Sequence, residues 1–339
     1  MASRLRIVRL VATTCVHCCW CCAAAQGRSL LSEACHALGP YDSSPPDVAN
    51  TTLVFIKVPK CASSTAGGAV RRVGYHHRHG GVRVKGHAAT ELFPRSGPVV
   101  WARHSPALKV IPKLREAPCL RWRAFLFTVV REPLARATSE YFHFHVSRLN
   151  ASPADAAVTR FLDGPKARNF MFRYVRLDAD ATVEGTLDAY DLVGTAELFD
   201  ETMVLLAARL GVPLGDVLYV ASKNASSGGP DDMGLDFAAA DAATRARLAT
   251  WAQETGYEAR MHEDYALWRG ATARVKAAIA PLRDTLDEYK RLKAFAADDC
   301  AKDPRNFAKA ECLWNDNGCA FRCLDDRAAA FRLRPDEVP

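Results

Sequence analysis

Acidic side chains are scarce between residues 57 and 136, where 16 Lys and Arg stand against 3 Asp and Glu. A nucleotide-dependent kinase holds its Mg²⁺ ions through carboxylates, and this region offers only Glu91, Glu116 and Glu132. The shortage of carboxylates disfavours that class of enzyme. The excess of positive charge favours an anionic ligand instead.

Other signatures are also missing. The sequence has no internal repeat, no recognition helix and no aromatic platform of the kind that nucleic-acid-binding proteins use. The four C-terminal cysteines, from Cys300 to Cys323, form no regular array of paired Cys-x-x-Cys motifs, which disfavours a zinc site there relative to disulfides. The closely spaced His76, His77 and His79 lack the i, i+4 spacing of a helical metal site, so we predict no metal there. No nucleic-acid partner is predicted either.

The apolar run at about residues 10–25 is short for a bilayer span, which needs about 20 residues. Three arginines precede it and three alanines end it, a pattern typical of a cleaved signal peptide. For residues 1–26 a signal peptide and an uncleaved signal anchor both remain open. Either one predicts that the rest of the chain lies in the secretory lumen.

Residues 27–50 are rich in proline and serine and are predicted to form a stem or linker. Three glycosylation sequons agree with a lumenal location, and they begin at Asn50, Asn150 and Asn224.

The tail at residues 298–339 contains four cysteines: Cys300, Cys312, Cys319 and Cys323. In an oxidising lumen they predict two disulfides in a small Cys-rich appendage, with the pairing left open. The number of cysteines after the N-terminal segment is odd, so at least one thiol stays free. Cys61 is the candidate.

The first motif is a short apolar strand at Leu53–Val58, followed by a proline, Lys60 and the hydroxyls of Ser63, Ser64 and Thr65. The hydroxyls stand at the predicted start of a helix, where backbone N–H groups and the helix dipole favour an anion. The pattern lacks the first glycine and the Gly-Lys-Ser/Thr ending of a Walker loop. It therefore predicts an anion site of another kind.

The second motif follows another apolar strand, Ala124–Val130. Arg131 comes directly after it, Pro133 suits the first turn of a helix predicted over about 134–146, and Ser139 lies about two turns into that helix. A planar guanidinium binds phosphate through two parallel hydrogen bonds. The motif thus predicts a second phosphate site.

Strands and helices alternate along most of the chain, which predicts a mostly parallel sheet covered by helices, with ligands at the carboxyl ends of the strands. Further strands are predicted at about 98–104, 190–195 and 216–221, and further helices at about 199–210, 241–255, 257–268 and 270–297.

Both motifs resemble those of the Golgi carbohydrate sulfotransferases, in particular the uronyl 2-O- and galactose 3-O-sulfotransferase group. Lys60-Cys-Ala-Ser-Ser-Thr65 is similar to their 5′-phosphosulfate loop, usually Pro-Lys-Thr-Ala-Ser-Thr/Ser, with Cys61 where threonine is common. Arg131-Glu-Pro-Leu-Ala-Arg-Ala-Thr-Ser139 is similar to their 3′-phosphate motif. The resemblance covers residues 52–147 well and 188–222 loosely.

The resemblance implies that the donor is 3′-phosphoadenosine 5′-phosphosulfate (PAPS) and that no metal is required. Arg131 and Ser139 would hold its 3′-phosphate. The 5′-phosphosulfate would lie on Lys60, Cys61, Ala62, Ser63, Ser64 and Thr65.

Lys60 is the predicted catalytic group at the leaving oxygen, and the general base is predicted to be a histidine. His104 is the first candidate because it ends a predicted strand 27 residues before Arg131, as the catalytic histidine does in the uronyl 2-O-sulfotransferases. His87 is the second candidate.

We therefore expect a P-loop-like α/β sulfotransferase domain over residues 51–297 and a glycan or polysaccharide acceptor, with an acidic one favoured by the basic charge. The resemblance implies a type II Golgi membrane protein with an N-terminal anchor; a secreted protein is the alternative. Two rival functions remain open: a nucleotide-dependent kinase, and a secreted glycan-binding protein without turnover.

Overall fold

The computed structural model describes residues 46–80, 97–116, 123–220, 239–307 and 319–333. The predicted N-terminal segment 1–26, the stem up to residue 45 and the candidate base His87 lie outside the described residues. Two sequon asparagines, Asn50 and Asn150, are exposed, and Asn224 falls outside the described ranges.

A four-stranded, all-parallel sheet flanked by helices forms the centre of the fold, and its strand order is β2-β1-β3-β4. This confirms the α/β class and the parallel sheet. The strands are β1 (Thr51–Ile56), β2 (Val100–Arg103), β3 (Arg123–Val130) and β4 (Leu192–Thr195).

The two central strands form because their residues are apolar without alternation, as suits strands covered on both faces. Every residue of β1 is buried. Phe55 lies opposite Phe127 in the register of β1 and β3, and their rings stack with centroids 4.5 Å apart. The Thr128 hydroxyl donates to the Ile56 carbonyl at 2.8 Å. Both strands therefore end at the same edge of the sheet, where the two predicted anion motifs begin.

The α-helices of four or more residues occupy most of the described chain between and after the strands. They are α1 (Ser63–His76), α2 (Ala107–Glu116), α3 (Pro133–Glu140), α4 (Asp155–Leu162), α5 (Phe170–Val175), α6 (Val183–Ala189), α7 (Phe199–Leu210), α8 (Ala242–Glu254), α9 (Tyr257–Arg260), α10 (His262–Ile279), α11 (Arg283–Lys302) and α12 (Phe321–Leu333).

The predicted strand at 216–221 is wrong over the residues that the structure describes. Leu214–Val217 form a 3₁₀ helix, and no strand follows before residue 220. The Arg72 side chain donates to the Gly215 and Leu218 carbonyls, each at 2.7 Å. A buried arginine from α1 thus takes the carbonyl groups that a neighbouring strand would have bonded.

Two helix predictions also need correction. The break predicted at residue 269 falls instead at Ala280–Leu282, a 3₁₀ turn that contains Pro281, because proline cannot donate the backbone hydrogen bond of a continuing α-helix. The helix predicted over 134–146 is α-helical only to Glu140, and Tyr141–Val146 form a π-helix.

Of the helices that the structure describes, none is both long enough and apolar enough to span a membrane.

The C-terminal helix is covalently tied to the body of the fold. Cys300 on α11 and Cys323 on α12 form a disulfide. Cys319 is also disulfide-bonded. Among the described cysteines, Cys61 alone is free, and it is buried.

Candidate functional site

The loop between β1 and α1 has an unusual backbone. Lys60 and Ala62 both adopt left-handed conformations, with φ of 66° and 52°, on either side of Cys61. Non-glycine residues occupy this region only at a cost, and such strain concentrates at functional sites. Left-handed residues beside ordinary ones turn successive N–H groups toward one side, the arrangement with which a backbone binds anions.

The N-terminus of α1 adds to this positive surface. The helix begins at Ser63 without a side-chain cap from Ala62, and its first turn contains no acidic residue. No acidic residue of its own first turn therefore offsets the helix dipole there. Ser63 and Thr65 are buried, whereas Lys60 and Ser64 are partly exposed.

Cys61 points away from the surface of this loop. Its Sγ lies 3.7 Å from both the Pro59 carbonyl oxygen and the Met171 Sδ, in the core. Burial raises the pKa of the thiol to about 12. The thiol therefore stays protonated and is no nucleophile, although a helix N-terminus lowers the pKa of an exposed cysteine. Only the Cys61 backbone is left to take part in binding.

Arg131 reaches this loop from the end of β3. Its Nη1 donates to the Lys60 carbonyl oxygen at 3.3 Å. The contact follows from the sheet, since β1 and β3 are adjacent and Ile56 pairs with Thr128. The lysine of the first motif and the arginine of the second thus lie at one edge of the sheet.

Ser139 lies in the last turn of α3 and is partly exposed. At a rise of 1.5 Å per residue it lies about 9 Å along the helix from Pro133. Glu132 caps α3, its carboxylate accepting the N–H groups of Leu134 at 3.1 Å and Ala135 at 2.6 Å. The cap fixes the direction of the helix relative to Arg131 and Ser139.

His104 follows β2, on the opposite side of β1 from Arg131. It is exposed, and its Nδ1 lies 2.8 Å from the Lys57 carbonyl oxygen. A carbonyl only accepts hydrogen bonds, so Nδ1 carries the proton. The lone pair of the neutral imidazole is then on Nε2. A histidine that donates Nδ1–H to the Lys57 carbonyl can act as a general base only through Nε2, and this tautomer has its lone pair there.

Arg136, the middle arginine of the second motif, is buried with 1% of its surface exposed. Its Nη1 pairs with Glu140 on the same helix at 2.6 Å, and its guanidinium carbon lies 4.3 Å from the centre of the Phe170 ring. Its Nε and Nη2 have no hydrogen-bond partner among the described residues. Arg136 thus packs against the start of α5, the helix whose Met171 contacts Cys61.

Sequence reasoning missed Asp264, which binds the first turn of α5. Its carboxylate accepts the backbone N–H groups of Met171 at 3.2 Å and Phe172 at 2.8 Å, in the first turn of α5. Burial raises its pKa to about 6. A lone acidic residue more than 90 positions away gave no sequence signal for this role.

The far end of α1 is bound to the C-terminal helix by charge. His76 lies between two carboxylates, with Nδ1 3.0 Å from Asp216 and Nε2 3.1 Å from Asp325. Asp325 also pairs with Arg72 at 2.6 Å, and His77 approaches Asp216 at 3.5 Å. Hydrogen bonds to Asp216 and Asp325 raise the pKa of His76 to about 9.

This pair of bonds predicts a pH dependence of stability. The folded-state pKa of His76 lies above the unfolded value of 6.5. Its contribution is therefore complete below pH 6.5 and is lost as the pH rises toward 9. In the wild type, the free energy of unfolding should therefore fall between pH 6 and pH 9. We expect this fall to be smaller in His76→Gln by on the order of 2 kcal/mol. Urea denaturation at pH 6 and pH 9 measures this difference in the free energy of unfolding.

His262→Gln, at an exposed histidine, is the control and should show the same change between the two pH values as the wild type. The same change in His76→Gln would contradict the assignment.

Comparisons with known proteins add no assignment: no protein-family model, no curated protein and no solved structure matches this chain.

Proposed function

We propose that the chain is a PAPS-dependent carbohydrate O-sulfotransferase on a P-loop-like α/β fold. One observation carries the proposal: the Arg131 guanidinium lies 3.3 Å from the Lys60 carbonyl, so both phosphate motifs lie at the carboxyl ends of adjacent parallel strands. Ligands of open α/β sheets bind at this edge. A single nucleotide with phosphates at both its 5′ and 3′ positions fits two such neighbouring motifs.

The 5′-phosphosulfate would lie on the left-handed loop and the first turn of α1. Lys60 supplies the full positive charge there, and the backbone and hydroxyls of residues 61–65 supply the hydrogen bonds. Arg131 would bind the 3′-phosphate through parallel N–H donors, with Ser139 as a second donor. No metal is needed for this charge compensation.

The transfer step follows from the same arrangement. His104 Nε2 takes the proton of the acceptor hydroxyl, whose oxygen attacks the sulfur. The bond between sulfur and the 5′-phosphate oxygen breaks, and its electron pair stays on that oxygen, where Lys60 stabilises the charge. The products are a sulfate ester and 3′-phosphoadenosine 5′-phosphate (PAP).

A basic segment borders the donor loop, which supports an acidic glycan. Residues 164–176 include four Lys and Arg and no Asp or Glu, and Lys166, Arg168 and Arg173 are exposed. This segment borders the donor loop through the contact of Met171 with Cys61. With 3.8 Å between successive Cα atoms, the Arg168 Cα lies within about 11 Å of the Met171 Cα.

The disulfides support a lumenal location, because disulfides persist in oxidising compartments. We place the protein in the Golgi lumen or among secreted proteins on this ground. The small Cys-rich C-terminal appendage is part of the same proposal.

Ligand-dependent melting tests the donor. PAP should raise the melting temperature, and ATP with Mg²⁺ should raise it less, because the loop region lacks the carboxylates that a kinase uses. Arg131→Ala should weaken PAP binding by roughly 10- to 150-fold, since a hydrogen bond to a charged group contributes about 1.5–3 kcal/mol. Adenosine 5′-monophosphate is the matched control ligand because it has no 3′-phosphate, and its affinity should change much less than that of PAP.

A larger shift with ATP and Mg²⁺ than with PAP would favour the kinase. Turnover separates the proposal from a glycan-binding protein without activity. Labelled sulfate should pass from PAPS to at least one polysaccharide in a screen of desulfated acceptors, and binding without transfer across that screen would favour the rival.

A further inference from the structure

Trp268 is anchored close to the arginine of the second motif. Its indole Nε1 donates to Glu197 Oε2 at 3.1 Å, and the other oxygen of Glu197 accepts the Glu132 backbone N–H at 2.9 Å. Glu132 directly follows Arg131. One carboxylate therefore joins the indole to the backbone beside the proposed 3′-phosphate site.

The orientation of the indole is fixed from a second side. Tyr265, one turn earlier on α10, donates its hydroxyl to Glu132 Oε1 at 2.7 Å. The rings of Tyr265 and Trp268 meet nearly edge to face, with centroids 6.3 Å apart. Trp268 packs against the buried cluster that contains Tyr257, Met261 and Tyr265 and is partly exposed, so part of the indole reaches the surface. A ring fixed in this way loses little further entropy when it binds a flat ligand.

The order of the strands indicates which part of a donor lies on this side. Across the edge of the sheet, β2 carries His104, β1 carries the Lys60 loop, β3 carries Arg131, and Glu197 follows β4. The sulfuryl group must face the acceptor and His104, on the β2 side. The nucleoside, which is remote from the sulfuryl group, then extends past Arg131 toward β4 and the indole.

We propose that Trp268 forms one face of an adenine subsite, with the purine stacked on the indole. The proposal rests on the proposed function, since it assigns the base of the same donor. Stacking of a base on an aromatic side chain is strong enough to matter for affinity. The anchor through Glu197 couples the position of the base to that of the 3′-phosphate.

The test compares ligands that differ in the base. Trp268→Ala should raise the dissociation constant of PAP by about 5- to 150-fold in calorimetry. Cytidine 3′,5′-bisphosphate has the same ribose and phosphates but a smaller base, and the preference of the wild type for PAP over this ligand should shrink in the variant. Trp268→Phe, which keeps an aromatic face, should bind PAP within about 3-fold of the wild type.

Trp251 supplies a matched control. It is a partly exposed tryptophan that packs against the same buried cluster, which contains Tyr257, Met261 and Tyr265, but it lies on α8. Trp251→Ala should lower the melting temperature and leave PAP affinity within about 2-fold. Unchanged PAP affinity in Trp268→Ala, or an equal loss in both alanine variants, would overturn the adenine subsite while the proposed function stands. A wild-type protein that does not bind PAP would overturn both.

Discussion

Replacing Lys60 by alanine is expected to slow sulfuryl transfer by roughly 100- to 1000-fold, the usual cost of removing one group that stabilises charge in a transition state. The lysine stands in a left-handed loop beside the Arg131 contact, where the leaving 5′-phosphate would gain negative charge. The fold should survive because the side chain is partly exposed. Alanine adopts the same strained backbone at a cost similar to that of lysine, so the change isolates the charge.

The measurement is the rate of labelled sulfate transfer at saturating PAPS, with circular dichroism as the check on folding. Lys276→Ala is the matched control, since it removes an exposed lysine from the last turn of α10, and its rate should stay near the wild-type value. Transfer by Lys60→Ala at a near-normal rate would remove Lys60 from the mechanism.

Replacing His104 by alanine should lower turnover by about 100- to 10,000-fold, as expected for loss of a general base, and change PAP affinity by no more than about 2-fold. The separation follows from geometry. The imidazole bonds to the Lys57 carbonyl, on the opposite side of β1 from the Arg131 site. We therefore expect the His104 variant to lose turnover while the Arg131 site still binds PAP.

His104→Gln sharpens this test. A glutamine amide can donate to the Lys57 carbonyl as the imidazole does, but it cannot accept the proton, so it should be nearly as slow as the alanine variant. If His87→Ala produces this loss and His104→Ala does not, His87 is the base.

The sequence was sufficient to locate both motifs because each follows a continuous apolar strand. Such strands are buried and parallel, and their carboxyl ends meet at one edge. The contact between Arg131 and Lys60 is a consequence of that rule. The strand bounds shifted by one or two residues, and the class of the fold was correct.

The sequence could not predict contacts between residues that are far apart along the chain. Asp264 holds α5 from 92 positions away, and Asp325 pairs with Arg72 across 253 positions. The apolar pattern at 216–221 predicted a strand, yet the Arg72 guanidinium, from more than 140 positions away, bonds two carbonyl groups of this segment. The inward direction of Cys61 likewise depends on the fold around Met171 and not on its place at a helix N-terminus.

The disulfide between Cys300 and Cys323 has a practical consequence for anyone producing the protein. Helix α12 carries Asp325, the countercharge of Arg72, whose side chain is only 3% exposed. A truncation before residue 319 would remove Asp325, and synthesis in a reducing bacterial cytosol would leave the helix that carries Asp325 without its covalent link to α11. Periplasmic export or secretion from eukaryotic cells is therefore the preferred route to protein with this disulfide formed.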